Sequence, residues 1–309
     1  KRMKALMIGG CGFVGRYLTR HLKQHGYETV ATKMPDRRAS DEADTVCELD
    51  ILEEGAVERL LEKTNPDILF HLAAQSSVAA SWNDPGQTID VNIRGSTNVL
   101  EAVRRQRKKI RVVLVGSSEE YGKIMPEKMP VSEQQRMQPA NIYAATKACQ
   151  NMIGNIYAQA YGLDIVMVRA FNHIGPGQSA DFVVSGLCRQ AARIKAGLQE
   201  AVIKAGNLDV RRDFTDVRDI VRAYAMLAEK GQSGETYNVG SGHAVSIAEV
   251  LQIIITQAAV PIRIEIDPER FRPLDVPVVE ADIRKLESIT GWKPEISLAQ
   301  TVREMLQSC

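Results

Sequence analysis

Cysteine is scarce, with five scattered at Cys11, Cys47, Cys149, Cys188 and Cys309. None makes a Cys-x-x-Cys pair or joins a Cys/His cluster, so neither a disulfide framework nor a zinc site is supported, and free thiols in a reducing cytosol are expected. An excess of one charge is missing too. The chain has 39 Lys and Arg against 38 Asp and Glu, a net charge of +1, which offers no bulk field to nucleic acid or an anionic membrane. Apolar runs stop well short of the roughly 20 residues that span a bilayer. The N-terminus runs directly into a strand-like "KALMIGG", with nothing that reads as a secretory signal, so a cytoplasmic location is expected. What remains is ordinary for a soluble globular protein: 309 residues, 44% hydrophobic and 25% charged, enough for one large domain or two small ones with a sizeable core.

The first half alternates two periodicities. "ALMIG", "ETVATK", "DILFHLAA", "RVVLVGSS" and "DIVMVRA" read as strands. Between them lie the helical patterns "FVGRYLTRHLKQHG", "VERLLEKT", "QTIDVNIRGSTNVLEAVRRQ" and "IYAATKACQNMIGNIYAQAYG". The last carries Ala145, Cys149, Met152, Ile153 and Ile156 on one face, and Gly162 follows its end. Such alternation predicts right-handed βαβ units and an α/β fold, a Rossmann-type doubly wound parallel sheet covered on both faces. After Ala170 the rhythm changes. "FNHIGPGQS" reads as loop, Asp216 as a helix cap with Asp219 three residues on, and Ser246/Glu249 and Ser297/Gln300 as capping pairs. The expected division is a dinucleotide-binding domain of residues 1–170 plus 213–239, and a smaller C-terminal lobe of 171–212 plus 240–309. A cleft between them would be a favoured place for a ligand.

"GGCGFVG" sets Gly9, Gly12 and Gly15 at G-x-x-G-x-x-G spacing, after a strand and opening a helix. Gly9 would permit a tight turn, Gly12 would let the backbone approach a pyrophosphate at the helix N-terminus, and Gly15 would let the helix lie on the sheet. An acid at the end of the second strand would grip a ribose 2′-hydroxyl. That end reads Thr32-Lys33-Met34, with Arg37 and Arg38 beyond. Cations there suit a 2′-phosphate, so NADP(H) is favoured, with NAD(H) the alternative.

"YAATK" is the one Tyr-x-x-x-Lys of the chain, and on a helix Tyr143 and Lys147 stand one turn apart on the same face. An ammonium near a phenol favours phenolate and lowers a pKa that starts near 10, which would make Tyr143 a proton carrier. "GSSEEYG" at 116–122 places Ser117 at the mouth of a buried strand, where its hydroxyl could orient a carbonyl. Glu119 and Glu120 follow. If the segment is extended, Glu120 points to the other side and reads as structural.

Together "GGCGFVG", "HLAA", "VN" at 91–92, "GSSEEYG", "YAATK", "RRDFTDVRD", "YNVGSG", "RPLD" and "GWKP" resemble the extended short-chain dehydrogenases/reductases that act on nucleotide sugars, over essentially the whole chain. "FNHIGPGQ" at 171–178 is most similar to the loop of the GDP-4-dehydro-6-deoxy-D-mannose reductases. The resemblance implies that Ser117, Tyr143 and Lys147 are catalytic, with Lys147 also on the nicotinamide ribose. It implies that Gly9, Gly12, Phe13, Val14, Gly15, Lys33, Asp50, Ile51, Leu72, Ala73 and Ala74 line the cofactor together with Tyr143 and Lys147, and that Asn172, Arg212, Arg272 and Asp275 join Ser117 and Glu119 on the substrate side. Arginine's planar fork suits diphosphate oxygens. The substrate would be a GDP-linked 4-keto-6-deoxy sugar, and a homodimer is expected. In the dehydratase relatives a glutamate two residues after the catalytic Ser/Thr removes the C5 proton, and Glu119 occupies that position. A GDP-mannose 4,6-dehydratase therefore stands as the alternative, an epimerase shares the core motifs, and a non-catalytic NADP sensor is the third reading. The loop sequence, the missing Arg/Ser-rich segment after the second strand and the compact length favour the reductase.

Overall fold

The computed structural model describes residues 2–40, 42–271 and 276–309. Its strands are β1 (Lys4–Ile8), β2 (Glu28–Lys33), β3 (Thr45–Glu48), β4 (Ile68–His71), β5 (Arg111–Ser117), β6 (Ile165–Ala170), β7 (Asn172–Ile174), β8 (Val202–Ala205), β9 (Arg211–Asp216), β10 (Thr236–Val239), β11 (Ala244–Ser246), β12 (Arg263–Ile266) and β13 (Val278–Val279). Seven of them form one sheet in the order β10-β6-β5-β4-β1-β2-β3, and every neighbouring pair in it is parallel. A strand's side chains alternate between faces. Ala5 and Met7 pack with Leu18 and Leu22 of helix Phe13–Gln24 and with helix Val217–Lys230 on one side. Leu6 and Ile8 pack on the other with Val57, Leu60 and Leu61 of helix Ala56–Thr64 and with Val99, Leu100 and Val103 of helix Ser96–Arg105. The fold is therefore of the α/β class, a Rossmann-type parallel sheet buried on both faces.

The chain departs from its sequence pattern in four places that bear on the site. β3 is half-exposed at the sheet edge, so its short "TVCE" lacks the apolar signal that marks the interior strands. β7 makes a short strand inside the segment expected to be loop, pairing Asn172 with Phe214. The long helix expected over 87–106 contains a π-helical turn at Asp90–Gly95. That turn turns the fully buried Asn92 inward, where it accepts from the Gln75 N–H (2.8 Å) and donates to Gln75 O and Thr146 Oγ1 (3.0 Å each).

The fourth departure is the helix Ile142–Tyr161. Its buried side is Tyr143, Ala144, Thr146, Lys147, Ala148, Gln150, Asn151 and Gly154, while Met152 and Ile156 are 49% and 58% exposed. The polar face turns inward because each of its groups finds a partner there: Thr146 with Asn92, and Lys147 and Gln150 with the Val115 carbonyl at the end of β5. Packing against hydrogen-bonding partners has overridden the apolar periodicity.

The smaller C-terminal lobe carries β11, β9, β13 and β7 in one sheet and β8 with β12 in another. Helices Val183–Lys195, Ile247–Ala258 and Leu298–Gln307 close its core through Leu187, Val250, Ile254 and Val302. Asp216 caps helix Val217–Lys230 through the Arg218 N–H, and Ser246 and Glu249 form the reciprocal capping box. Ser297 accepts from the Gln300 N–H. Asp219 does not complete the Asp216 cap. It is buried and accepts from the Glu295 and Ile296 N–H groups, both at 2.9 Å, which ties the C-terminal segment to the first lobe.

Among the described residues no helix is long and apolar enough to cross a membrane, and no group of three or more His, Cys, Asp or Glu side chains could hold a metal ion. All five cysteines are free.

Candidate active site

Strand order reverses between β1 and β4. β2 and β3 lie to one side of β1, while β4, β5, β6 and β10 lie to the other. The crevice at the carboxyl ends of such strands is where an open parallel sheet holds ligands. Gly9 follows β1, Leu72 to Ala74 follow β4, Lys33 ends β2, Asp50 and Ile51 follow β3, Ser117 ends β5 and Asn172 lies just past β6. Gly9 adopts φ +84°, and a Cβ on it would come within 2.8 Å of the Ala73 backbone nitrogen. Only glycine serves there, because the backbone is left-handed and the next strand end crosses over it. Gly12 is the N-cap of helix Phe13–Gln24, with Phe13, Val14 and Gly15 in its first turn. No side chain caps that helix and its first turn holds no acid, so its leading N–H groups suit an anion. The residues present therefore fit a dinucleotide: a side-chain-free turn, donors at a helix start and apolar walls from Leu72, Ala73 and Ile51.

Lys33 is less available than its sequence position suggests. Its Nζ donates to Glu48 Oε1 at 2.7 Å and to Pro35 O at 3.1 Å. β3 brings to the end of β2 an acid that is remote in sequence. Asp50 turns its carboxylate onto the Leu52 N–H (2.8 Å), and Ile51 packs buried at Gly95.

Ser117, Tyr143 and Lys147 come together beneath the crevice, exposed by only 8%, 9% and 4%. The Ser117 side chain lies close enough to Tyr143 to draw its pKa down. Lys147 Nζ donates to Val115 O and Gln150 Oε1, both at 3.0 Å. Gln150 Oε1 also accepts from Ser96 Oγ (3.2 Å), which meets His71 Nε2 at 2.9 Å. The expected lowering of the Tyr143 pKa is not what this arrangement produces. Burial drives the phenol well above its usual range, and the nearby Ser117 hydroxyl opposes that only in part. Burial also lowers the Lys147 ammonium to about 8, against a partial rise from Glu120. The ammonium is engaged by the end of β5, so Tyr143 is a neutral phenol near pH 7.

Glu119 stands beside them. Its Oε2 accepts from Asn141 Nδ2 at 3.1 Å, and the same Asn141 caps the Tyr143 helix by accepting the Ala144 N–H at 2.8 Å. Glu120 is not on an extended segment: Ser118–Tyr121 is a 3-10 turn that folds its carboxylate back under the strand end. Neither the Asn141 clamp nor the Lys147–Gln150–Ser96–His71 chain was read from the sequence. The asparagine directly before "IYAATK" was the one signal available.

On the substrate side Asn172 is exposed on β7, and Arg212 is half-buried on neighbouring β9, where its Nη1 donates to Val276 O at 2.7 Å. Arg272 and Asp275 lie outside the described residues.

His71 gives this site a pH signature. Burial, with help from the Lys147 charge, depresses its imidazole from 6.5 to about 3, and its Nδ1 finds no hydrogen-bond partner among the described residues. A His with a depressed folded pKa binds its proton more readily when unfolded, so stability is intact above 6.5 and lost as pH falls toward 3. Between neutrality and about pH 4.5, wild type should lose on the order of 2 kcal/mol more than His71→Gln in urea titrations. Equal acid losses in the two proteins would mean that His71 titrates normally.

A parallel sheet with a glycine turn at its switch point, and a Ser, Tyr and Lys converging at the end of β5, define a short-chain dehydrogenase/reductase of the extended type. The family model described as GDP-mannose 4,6 dehydratase matches residues 6–305, and the chain belongs to that family of nucleotide-sugar enzymes. It is 32% identical over 303 residues to the GDP-6-deoxy-D-mannose reductase of Pseudomonas aeruginosa, covering 98% of this chain and 96% of that one. It is 30% identical over 326 residues to GDP-mannose 4,6 dehydratase 1 of Arabidopsis thaliana, covering 99% and 89%. The solved structure of RMD from Pseudomonas aeruginosa complexed with NADPH superposes with a TM-score of 0.89 at 31% identity, covering 99% of this chain and 98% of that one.

Proposed function

We propose that this enzyme reduces the C4 ketone of GDP-4-dehydro-6-deoxy-D-mannose, giving GDP-D-rhamnose. The observation that carries this reading is the similarity to the Pseudomonas reductase, 32% identical over 98% of this chain. A neutral Tyr143 phenol, which burial favours, suits a proton donor to a developing alkoxide.

When bound, the reduced nicotinamide supplies the hydride that reaches C4. Tyr143 gives its proton to the C4 oxygen, and Ser117, which lies beside Tyr143, holds that oxygen as charge develops. Lys147 holds the nicotinamide ribose and balances charge beside the phenol. Residues 1–170 and 217–239 hold the cofactor, and 171–216, which include β9, and 240–309 hold the nucleotide sugar, with Asn172, Arg212, Arg272 and Asp275 binding the diphosphate and sugar. Glu119, clamped by Asn141, presents an acceptor to sugar hydroxyls. Its position beside Tyr143 also supports the second reading, a dehydratase with Glu119 as the base. GDP-mannose supplied alone separates the two: unchanged substrate mass fits the reductase, and loss of water identifies the dehydratase.

The cofactor is NADPH by preference, through Lys33, Arg37 and Arg38. Because Glu48 shares the Lys33 charge, Glu48→Gln should tighten NADPH binding by about threefold and leave NADH within about 1.5-fold, as befits a half-exposed ion pair. Equal changes for both cofactors, read by fluorescence titration, would remove Lys33 from the 2′-phosphate. The exposed stripe of Met152 and Ile156, together with Trp82 at 53% exposed, is where we place the contact of a homodimer.

A further inference from the structure

We propose that Glu120 is a positioning residue for Ser117, holding the end of β5 so that the serine hydroxyl faces Tyr143. The inference rests on the role given above to Ser117. Glu120 is fully buried. Its Oε1 accepts the Ser117 backbone N–H at 2.9 Å, and its Oε2 accepts from Arg169 Nε at 2.9 Å. Arg169 is itself buried, lies 4.6 Å over the Tyr121 ring and donates to Glu133 O at 3.3 Å. Tyr121 in turn donates to Asn238 Oδ1 at 2.6 Å, and Asn238 donates to Val131 O at 2.9 Å. The carboxylate is thus braced from β6, β10 and the 131–133 segment at once.

The geometry has a sequence requirement. A Cβ on Gly116 would lie 2.2 Å from Glu120 Oε1 and 2.7 Å from the Val168 carbonyl, so only a glycine before Ser117 lets Glu120 fold under the strand. A buried carboxylate is costly unless it is paired and hydrogen-bonded on both oxygens, and here it is. Burial pushes its pKa up to about 7, while Arg169 and the Ser117 N–H pull the other way. The one catalytic-site group it touches directly is the Ser117 backbone. Loss of that acceptor frees the residue that carries the hydroxyl.

The test is a double-mutant cycle on purified enzyme, with NADPH and the GDP-4-keto-6-deoxy sugar as substrates. Glu120→Leu should lower kcat by about tenfold or more in the wild-type background, the scale of one lost buried hydrogen bond to a charged group. KM and NADPH affinity should stay within about twofold. In a Ser117→Ala background the same change should cost less than about twofold, because a serine that no longer acts needs no positioning. Glu120→Gln, whose amide oxygen still accepts the Ser117 N–H, should restore kcat to within about threefold of wild type. If Glu120→Leu folds poorly around the unpaired Arg169, the pair Glu120→Leu with Arg169→Met removes both charges and is run through the same cycle. Equal losses in both backgrounds, an unchanged kcat, or a Gln variant as slow as the Leu variant would each overturn the proposal. Full turnover by Ser117→Ala alone is a different failure: it would remove Ser117 from the reaction and with it the premise.

Discussion

Tyr143→Phe is expected to lower turnover of the 4-keto sugar by about a thousandfold, within the range for losing a positioned proton donor, while NADPH affinity stays within about twofold. The ring is buried against the helix and strand ends, and phenylalanine keeps its volume, so the fold is not disturbed. What disappears is the hydroxyl that stands beside Ser117. Ser117 Oγ keeps its contact with the Glu119 N–H at 3.2 Å, so the serine does not lose all its anchoring. Stopped-flow turnover and a fluorescence titration of NADPH separate the two effects. Unchanged turnover would take Tyr143 out of the reaction.

Lys147→Met should lower turnover by about a hundredfold or more and yet make the protein more stable. The wild-type ammonium is buried and its pKa is depressed from 10.5 to about 8, so at neutral pH the fold carries a charged group it disfavours. The partners of the ammonium do not go unsatisfied when it is removed: Val115 O still accepts from Gln150 Nε2, and Gln150 Oε1 still accepts from Ser96 Oγ. The expected gain is on the order of 2 kcal/mol at pH 7. It has a pH dependence of known sign. Between about 8 and 10.5 the folded protein has released the Lys147 proton and the unfolded chain has not, so wild-type stability rises with pH in that window and the advantage of the variant shrinks. Urea melts at neutral and alkaline pH measure it. A destabilised variant at neutral pH would show that the ammonium's hydrogen bonds outweigh its desolvation.

The fold was legible in the sequence because interior strands and their covering helices have strong, distinct periodicities. The candidate site was legible because a glycine turn, "GSS" and "YAATK" each state a local chemical requirement. Most of the misses share one cause, partners that are remote in sequence, and the Glu120 turn is the local exception. Glu48 reaches Lys33 across β2 and β3, a pairing that inspection of the β2 end alone cannot reveal. The Tyr143 helix shows an apolar stripe to solvent because Thr146, Lys147 and Gln150 bond inward to Asn92 and Val115. The direction of the Tyr143 shift followed from the same fact. One turn on a helix brings a lysine near a tyrosine, but the Val115 carbonyl and Gln150 hold the ammonium, and burial then governs the phenol. Glu120 read as a residue of an extended segment because the 3-10 turn at Ser118–Tyr121 depends on the carboxylate's return to the Ser117 N–H.

The proposal that Tyr143 delivers a proton to a ketone is tested most directly by supplying NADPH with GDP-4-keto-6-deoxymannose, following cofactor consumption and identifying the sugar by NMR. Reduction predicts one NADPH consumed per sugar and a single C4 alcohol with the rhamno configuration. Intact NADPH and unreacted ketone, from a protein that instead removes water from GDP-mannose, would contradict it.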